Sequence, residues 1–212
     1  MHPQFWLERW QARQIGFHEG APNRYLVHYA PTVLSGASHV LVPLCGKAVD
    51  LIYLHQQGHR VTGVELSAQA VQEFASDNAL TARIQQDGSI CWHRFDELPQ
   101  LQIAVGDFFD PRWSEVAGLF DAVYDRAALV ALPGDLRARY GARICALTRP
   151  GARMLLISRE HDTGGGPPFS VPEHEIREHY GQLWDLTVLE RQDGQDNAGL
   201  KADVVYRAQR RP

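Results

Sequence analysis

HVLVPLCGKAVDLIYLHQQGHRVTGVELSAQAVQEF, residues 39–74, decides the fold. HVLVPL (39–44) is a short apolar run of the kind buried on both faces of a sheet. AVDLIYLHQQG (48–58) places Val49, Leu51, Ile52 and Leu54 at helical spacing and stops at Gly58. RVTGVEL (60–66) is a second strand, and Ser67 is a good N-cap for a helix that places Ala70, Val71, Phe74 and Ala75 on one side. Strand, helix, strand and helix follow one another within about 40 residues, which predicts a parallel sheet covered by helices.

Further units follow the same alternation. SICWHRF (89–95) and LQIAVGD (101–107) read as strands, separated by the polar, turn-rich FDELPQ. FDAVYDR (120–126) is another strand. Gly134 and Asp135 open a helix through LRARYGARICALTR, which Pro150 and Gly151 stop. ARMLLISRE (152–160) is a strand, DTGGGPPFSVP (162–172) an irregular loop, and PEHEIREHYG a short helix. LWDLTVLERQ and LKADVVYRAQ, joined by DGQDNAG, predict a terminal antiparallel hairpin. We expect one domain over 1–212, with a helical lid segment over 1–36 and an α/β core over 37–212.

Composition narrows the function classes. The 212 residues hold 21 Lys+Arg against 25 Asp+Glu, a net charge of -4, so a basic nucleic-acid-binding surface is not expected. Hydrophobic and charged fractions of 44% and 22% suit a folded, water-soluble chain. Cys45, Cys91 and Cys145 are odd in number and lack a CxxC, which fits a reducing cytoplasm. No run reaches the roughly 18 apolar residues of a membrane span. MHPQFWLERWQARQ lacks the apolar core of a signal peptide. Want of an evident apolar patch points to a monomer.

Ligands of parallel α/β sheets bind at the carboxyl ends of the strands, so the places to inspect follow Leu44, Leu66, Asp107, Tyr124 and Ser158. PLCGKAVD (43–50) has one glycine, Gly46, where a dinucleotide fingerprint needs three, and Lys47 has no P-loop before it. Glu65 ends the second strand, placed to accept hydrogen bonds from ribose hydroxyls. A ribose site without a diphosphate cradle points to S-adenosylmethionine rather than NAD. The alternatives are a plain strand-to-helix turn with Asp50 exposed in the first helical turn, and a Glu65 that caps a helix. Asp107 and Phe108 in VGDFFDP could meet an adenine or could be a turn aspartate beside a core ring. Arg126 could hold an anionic group, or form a surface pair with Asp125 worth little. Trp6 and Trp10 share a helix face, Trp6 read as packing and Trp10 as part of an aromatic lid with Phe17. The histidines form no HExxH, and no metal is expected.

Taken together, FWLERWQARQIGFHEG, VLVPLCGKAVDLIYLHQQGHRVTGVELS, YDRAALVALP and GPPFSVPEHEI resemble the thiopurine S-methyltransferase family, in the same order and over nearly the whole chain. The resemblance implies a Rossmann-like class I methyltransferase fold, a seven-stranded, mostly parallel sheet with helices on both faces and a C-terminal antiparallel hairpin. It implies an enzyme, of use in detoxification, that moves a methyl group from S-adenosylmethionine to the sulfur of small aromatic or heterocyclic thiols, and to selenium or tellurium compounds, leaving S-adenosylhomocysteine. It implies cofactor contacts at Trp10, Leu44, Gly46, Glu65, Asp107, Phe108 and Arg126, acceptor contacts at Phe17, Arg126 and Phe169, and a catalytic role for Arg126. Some members carry a second basic residue near the final hairpin, for which Lys201 is the candidate here. The rival readings are a methyltransferase acting on another small molecule, an NAD-dependent oxidoreductase, a non-catalytic nucleoside-binding protein, and a methyltransferase of nucleic acid or protein.

Overall fold

Val40, Leu41 and Val42 alternate between the two faces of the sheet, and each face is closed by its own layer of helices. The computed structural model describes residues 3–113, 120–196 and 199–212. Strand β1 (His39–Pro43) lies parallel to β2 (Arg60–Glu65), with α3 (Asp50–Gln56) between them and α4 (Ala68–Asp77) after β2. Ser67 caps α4 as its sequence predicts, its hydroxyl accepting the Ala70 N–H at 3.3 Å.

Strands β3 (Ala82–Asp87), β4 (Ile90–Phe95) and β5 (Leu98–Val105) form an antiparallel meander, and β5 runs parallel to β2. On the other side of β1 come β6 (Phe120–Arg126), a 3₁₀ turn (Leu129–Ala131), α5 (Gly134–Leu147) and β7 (Thr148–His161). After α6 (Glu173–Tyr180), β8 (Trp184–Asp196) and β9 (Gly199–Arg210) close the edge as an antiparallel hairpin. Residues 197 and 198 of its predicted turn lie outside the described residues, as does most of RWSEVAGLF. The strand order is β3-β4-β5-β2-β1-β6-β7-β9-β8.

The sheet therefore has nine strands where seven are expected. The two additions are β4, the strand expected at 89–95, and beyond it the edge strand β3, where ARIQQD is mostly exposed. A strand with neither face buried carries no alternation of apolar and polar residues, so its sequence gives no signal. The expected strand at 152 begins at Thr148, because Pro150 and Gly151 sit in a register shift opposite Phe120–Ala122 rather than in a helix stop.

Alternation along the central strands sorts the core. Leu41, Val64, Ala104 and Val123 face α5 and α6, together with Tyr140, Ile144 and Ile176. Val40, Val42, Val61, Ile103 and Tyr124 face α2 (Arg24–Val33), α3 and α4, with Leu26, Leu51 and Phe74. Helix α2 thus belongs to a core layer, whereas α1 (Pro3–Gln11) buries Trp10 alone. Among the described residues no helix is long and apolar enough to cross a membrane.

Candidate active site

The chain turns sharply where β1 ends. Leu44 and Gly46 both take the left-handed conformation, at φ 48° and 54°. Leu44 is not a residue that favours it, so the turn is held by its surroundings. The Cys45 N–H donates to the Val64 carbonyl at 3.0 Å, and the Cys45 thiol packs against Gly63. A Cβ at Gly63 would come within 2.8 Å of that sulfur. Burial raises the Cys45 thiol well above its ordinary pKa, which leaves it protonated and inert.

This turn aims the Gly46 N–H at Glu65. Glu65 Oε2 accepts it at 2.8 Å, and Oε1 accepts the Ser67 N–H at 2.7 Å. Burial raises the Glu65 carboxyl pKa, while the backbone donors from Ser67 and Gly46 oppose that shift. Each carboxylate oxygen keeps a lone-pair direction for a further donor. Lys47 points elsewhere, its ammonium bonding Glu73 at 2.8 Å and Asp77 at 2.9 Å on α4. It anchors the turn and has no part in a phosphate cradle.

Above the turn sits the aromatic segment. A Cβ at Gly46 would lie 3.3 Å from the Trp10 ring and 3.8 Å from Phe17, so glycine lets these rings settle on the backbone. Trp10 and Phe17 meet edge to face at 5.8 Å, and Trp6 meets Phe17 at 5.9 Å. Gln69 on α4 donates to the Trp10 carbonyl at 3.2 Å.

At the end of β6, Arg126 Nη1 donates to the Phe17 carbonyl at 3.0 Å, and Nη2 is paired with Glu19. The adjoining Ala127 is left-handed at φ 64°. Asp125 forms no pair with Arg126. It is buried on the opposite side, accepting from Tyr140 Oη at 2.8 Å and the Leu129 N–H at 3.2 Å. The Arg126–Glu19 pair continues through Asn23, whose amide donates to Glu19 at 3.1 Å. Asn23 in turn caps α2, its side chain accepting the Tyr25 N–H at 3.0 Å. Asp50 accepts the Asn23 N–H at 2.7 Å and the Tyr124 hydroxyl at 2.9 Å. Asp50 is 3% exposed, which corrects the reading of it as a solvated first-turn residue.

These strand ends enclose a cavity of about 650 Å³. Trp10, Leu44, Gly46, Glu65, Asp107, Phe108, Arg126 and Phe17, all singled out in the sequence, line it together. Trp6, read as packing, lines it too. Phe108 is buried against Tyr140 at 5.3 Å, and Asp107 is exposed at the rim. Phe169 stands apart from the lining. Its ring folds back over Gly166 and stacks with the Arg137 guanidinium at 5.6 Å, so Pro167 and Pro168 form that wall. Lys201 is likewise absent from the lining. It pairs in register with Gly194 across the hairpin and with His161 on β7.

Several lining residues escaped sequence reading: Arg9, Glu19, Tyr25, Arg139, Arg159 and Asp203. A signal existed for one. Arg159 directly follows Ser158, one of the positions at which the carboxyl-end rule places ligands. The cavity balances four arginines (Arg9, Arg126, Arg139, Arg159) against four carboxylates (Glu19, Glu65, Asp107, Asp203). Among the described residues no cluster of His, Cys, Asp or Glu is arranged to hold a metal.

Comparison with known proteins bears on the family and the fold. The family model for thiopurine S-methyltransferase matches residues 1–211. A thiopurine S-methyltransferase of Pseudomonas fluorescens (strain SBW25) is 43% identical over 196 residues, 91% of this chain and 88% of that protein. One from Azotobacter vinelandii is 42% identical over the same shares. Among solved structures, the 1,6-didemethyltoxoflavin-N1-methyltransferase of Burkholderia thailandensis, with 1,6-didemethyltoxoflavin and S-adenosylhomocysteine bound, superposes with a TM-score of 0.66. It is 21% identical and the match covers 99% of this chain and 87% of that one, a likeness of fold.

Proposed function

The chain belongs to the thiopurine S-methyltransferase family, and from that premise we propose which of its residues carry methyl transfer from S-adenosylmethionine to the sulfur of a small acceptor. The observation that carries the assignment is the Glu65 carboxylate, buried at a strand end and fixed by the Gly46 and Ser67 N–H groups. A buried carboxylate with spare lone-pair directions beside a cavity can accept two further donors, and vicinal ribose hydroxyls supply them.

The rest of the cavity fits a nucleoside sulfonium. Its volume of about 650 Å³ falls in the usual range for cofactor sites. Phe108 offers an apolar wall to a flat base, and Asp107 an acceptor for an exocyclic amine. Trp10 lies over the Gly46 turn, an aromatic surface suited to a cationic sulfur. When bound, S-adenosylmethionine supplies a methyl group already activated on a sulfonium. The protein's task is therefore positioning in a water-poor site and stabilising the attacking anion.

Arg126 is the group for that second task. Its guanidinium is held at Phe17 and Glu19, and its fixed charge favours an acceptor in the thiolate form, the nucleophilic state of a thiol. Phe17 packs on the acceptor ring, and the 164–169 loop borders it through Pro167 and Pro168. The acceptor is a small molecule. A net charge of -4 is unsuited to nucleic acid. Three free cysteines accord with a cytoplasmic enzyme. Large exposed apolar side chains such as Val27, Ile84, Leu183 and Val188 are scattered, which accords with a monomer.

Calorimetric binding of S-adenosylhomocysteine, followed by methyl-transfer assays with 6-mercaptopurine, aromatic thiols, selenite and tellurite, tests the assignment. Micromolar binding with turnover of a thiol is the expected result. Absence of binding, or turnover of none of these acceptors, would overturn it.

A further inference from the structure

The strand order divides the cavity. Gly46 comes from the end of the central strand β1, and Glu65, Asp107 and Phe108 from the ends of β2 and β5 on one side of it. Arg159 and Asp203 come from β7 and β9, on the other side. They are direct cross-strand partners, and Arg159 Nε donates to Asp203 Oδ1 at 2.9 Å. Such opposed side chains stand on the same face of the sheet, here the cavity face.

The pair leaves hydrogen-bonding capacity open. Among the described residues the Arg159 guanidinium meets no second side-chain or carbonyl partner, so Nη1 and Nη2 remain available. Asp203 likewise keeps Oδ2. Tyr25 lines the cavity near this carboxylate, whose charge helps raise its phenol pKa after burial has done so first. The side chains are 36% and 29% exposed, so the ion pair itself adds little to stability. What it provides is a fixed edge with donors beside an acceptor, and with no net charge.

Resting on the assignment of this cavity to thiol methylation, we propose that Arg159 and Asp203 form a specificity-determining contact for the acceptor, reading a ring edge that carries an N–H next to a carbonyl or ring nitrogen. A purine-like or cyclic-amide acceptor presents the complementary pattern. A bare aromatic ring has nothing to offer it, and a free carboxylate meets Arg159 only against the repulsion of Asp203.

The test compares 6-mercaptopurine, which has such an edge, with thiophenol, which has none, in wild type, Arg159→Met and Asp203→Asn. Both variants melt close to wild type, because the pair is about one-third exposed and contributes little to stability. KM for 6-mercaptopurine rises about tenfold or more in Arg159→Met. For thiophenol, kcat/KM stays within about twofold, and so does the affinity for S-adenosylhomocysteine. Asp203→Asn shifts the two acceptors in the same selective way. Equal effects on both thiols, no effect on 6-mercaptopurine, or weakened S-adenosylhomocysteine binding would overturn the proposal while leaving the enzyme's assignment intact. A wild type that binds no S-adenosylhomocysteine and methylates neither thiol would bring down the assignment first, and this contact with it.

Discussion

Glu65 and Gly46 are joined across neighbouring strand ends by a 2.8 Å hydrogen bond, the glycine N–H donating to Oε2. One bond thereby fixes both the turn over which Trp10 packs and the carboxylate beneath it. Glu65→Gln tests the arrangement, since an amide has one acceptor atom for the two N–H donors of Gly46 and Ser67. S-adenosylhomocysteine affinity falls about 10- to 100-fold, by calorimetry. Unchanged affinity would remove Glu65 from the site.

Arg126 is tied to exposed Glu19 and to a backbone carbonyl, so its loss costs little stability. Arg126→Ala melts close to wild type and loses about 100-fold in turnover, the scale seen when one preorganised charge-stabilising donor is removed. Methylation of 6-mercaptopurine at the wild-type rate would leave Arg126 without an essential role.

Asp50 fastens the segment before α2 to the sheet through Asn23 and Tyr124. Asp50→Ala strands a buried N–H and a buried hydroxyl and lowers unfolding free energy by about 2–4 kcal/mol. Tyr124→Phe removes one partner and costs about 1 kcal/mol. Urea unfolding gives the order of the two, and a larger loss for Tyr124→Phe would contradict the bridging role. Because Asn23 also holds Glu19, Asp50→Ala further raises KM for the acceptor.

Two buried groups titrate in opposite senses. Burial first, only partly opposed by Tyr140 and the backbone, raises Asp125 from 3.8 to about 6. Its folded form holds a proton that the unfolded chain has released, so its contribution is lost as pH rises through that window. Burial lowers His39 from 6.5 to about 4, so its contribution is lost as pH falls through nearly the same window. The two slopes offset each other in the wild type. Relative to wild type, Asp125→Asn shifts the slope of unfolding free energy against pH upward over this range by up to about 1.4 kcal/mol per unit, and His39→Gln shifts it downward. Identical pH profiles for the two variants, from urea titrations, would refute the assignment.

Local pattern made the central part of this molecule readable. β1, β2 and β6 are short apolar runs whose residues are buried on both faces, and Ser67 announces α4 through its cap. The carboxyl-end rule then located Gly46, Glu65 and Arg126, since strand direction follows from the alternation of strands with helices. β3 escaped because its exposed residues have no pattern to read.

The amino-acid sequence by itself determined the doubly covered sheet, the strand ends that line the cavity, and the family. Each of these follows from apolar periodicity, turn residues or contiguous motifs, all written along a short stretch of chain. Tertiary structure alone decided that Asp50 is buried, that Phe169 turns to Arg137, and that Arg159 meets Asp203 in the cavity wall. Arg159 and Asp203 lie 44 positions apart and become neighbours only when β9 inserts antiparallel beside β7. No local signal encodes that meeting, because it depends on strand register across the sheet.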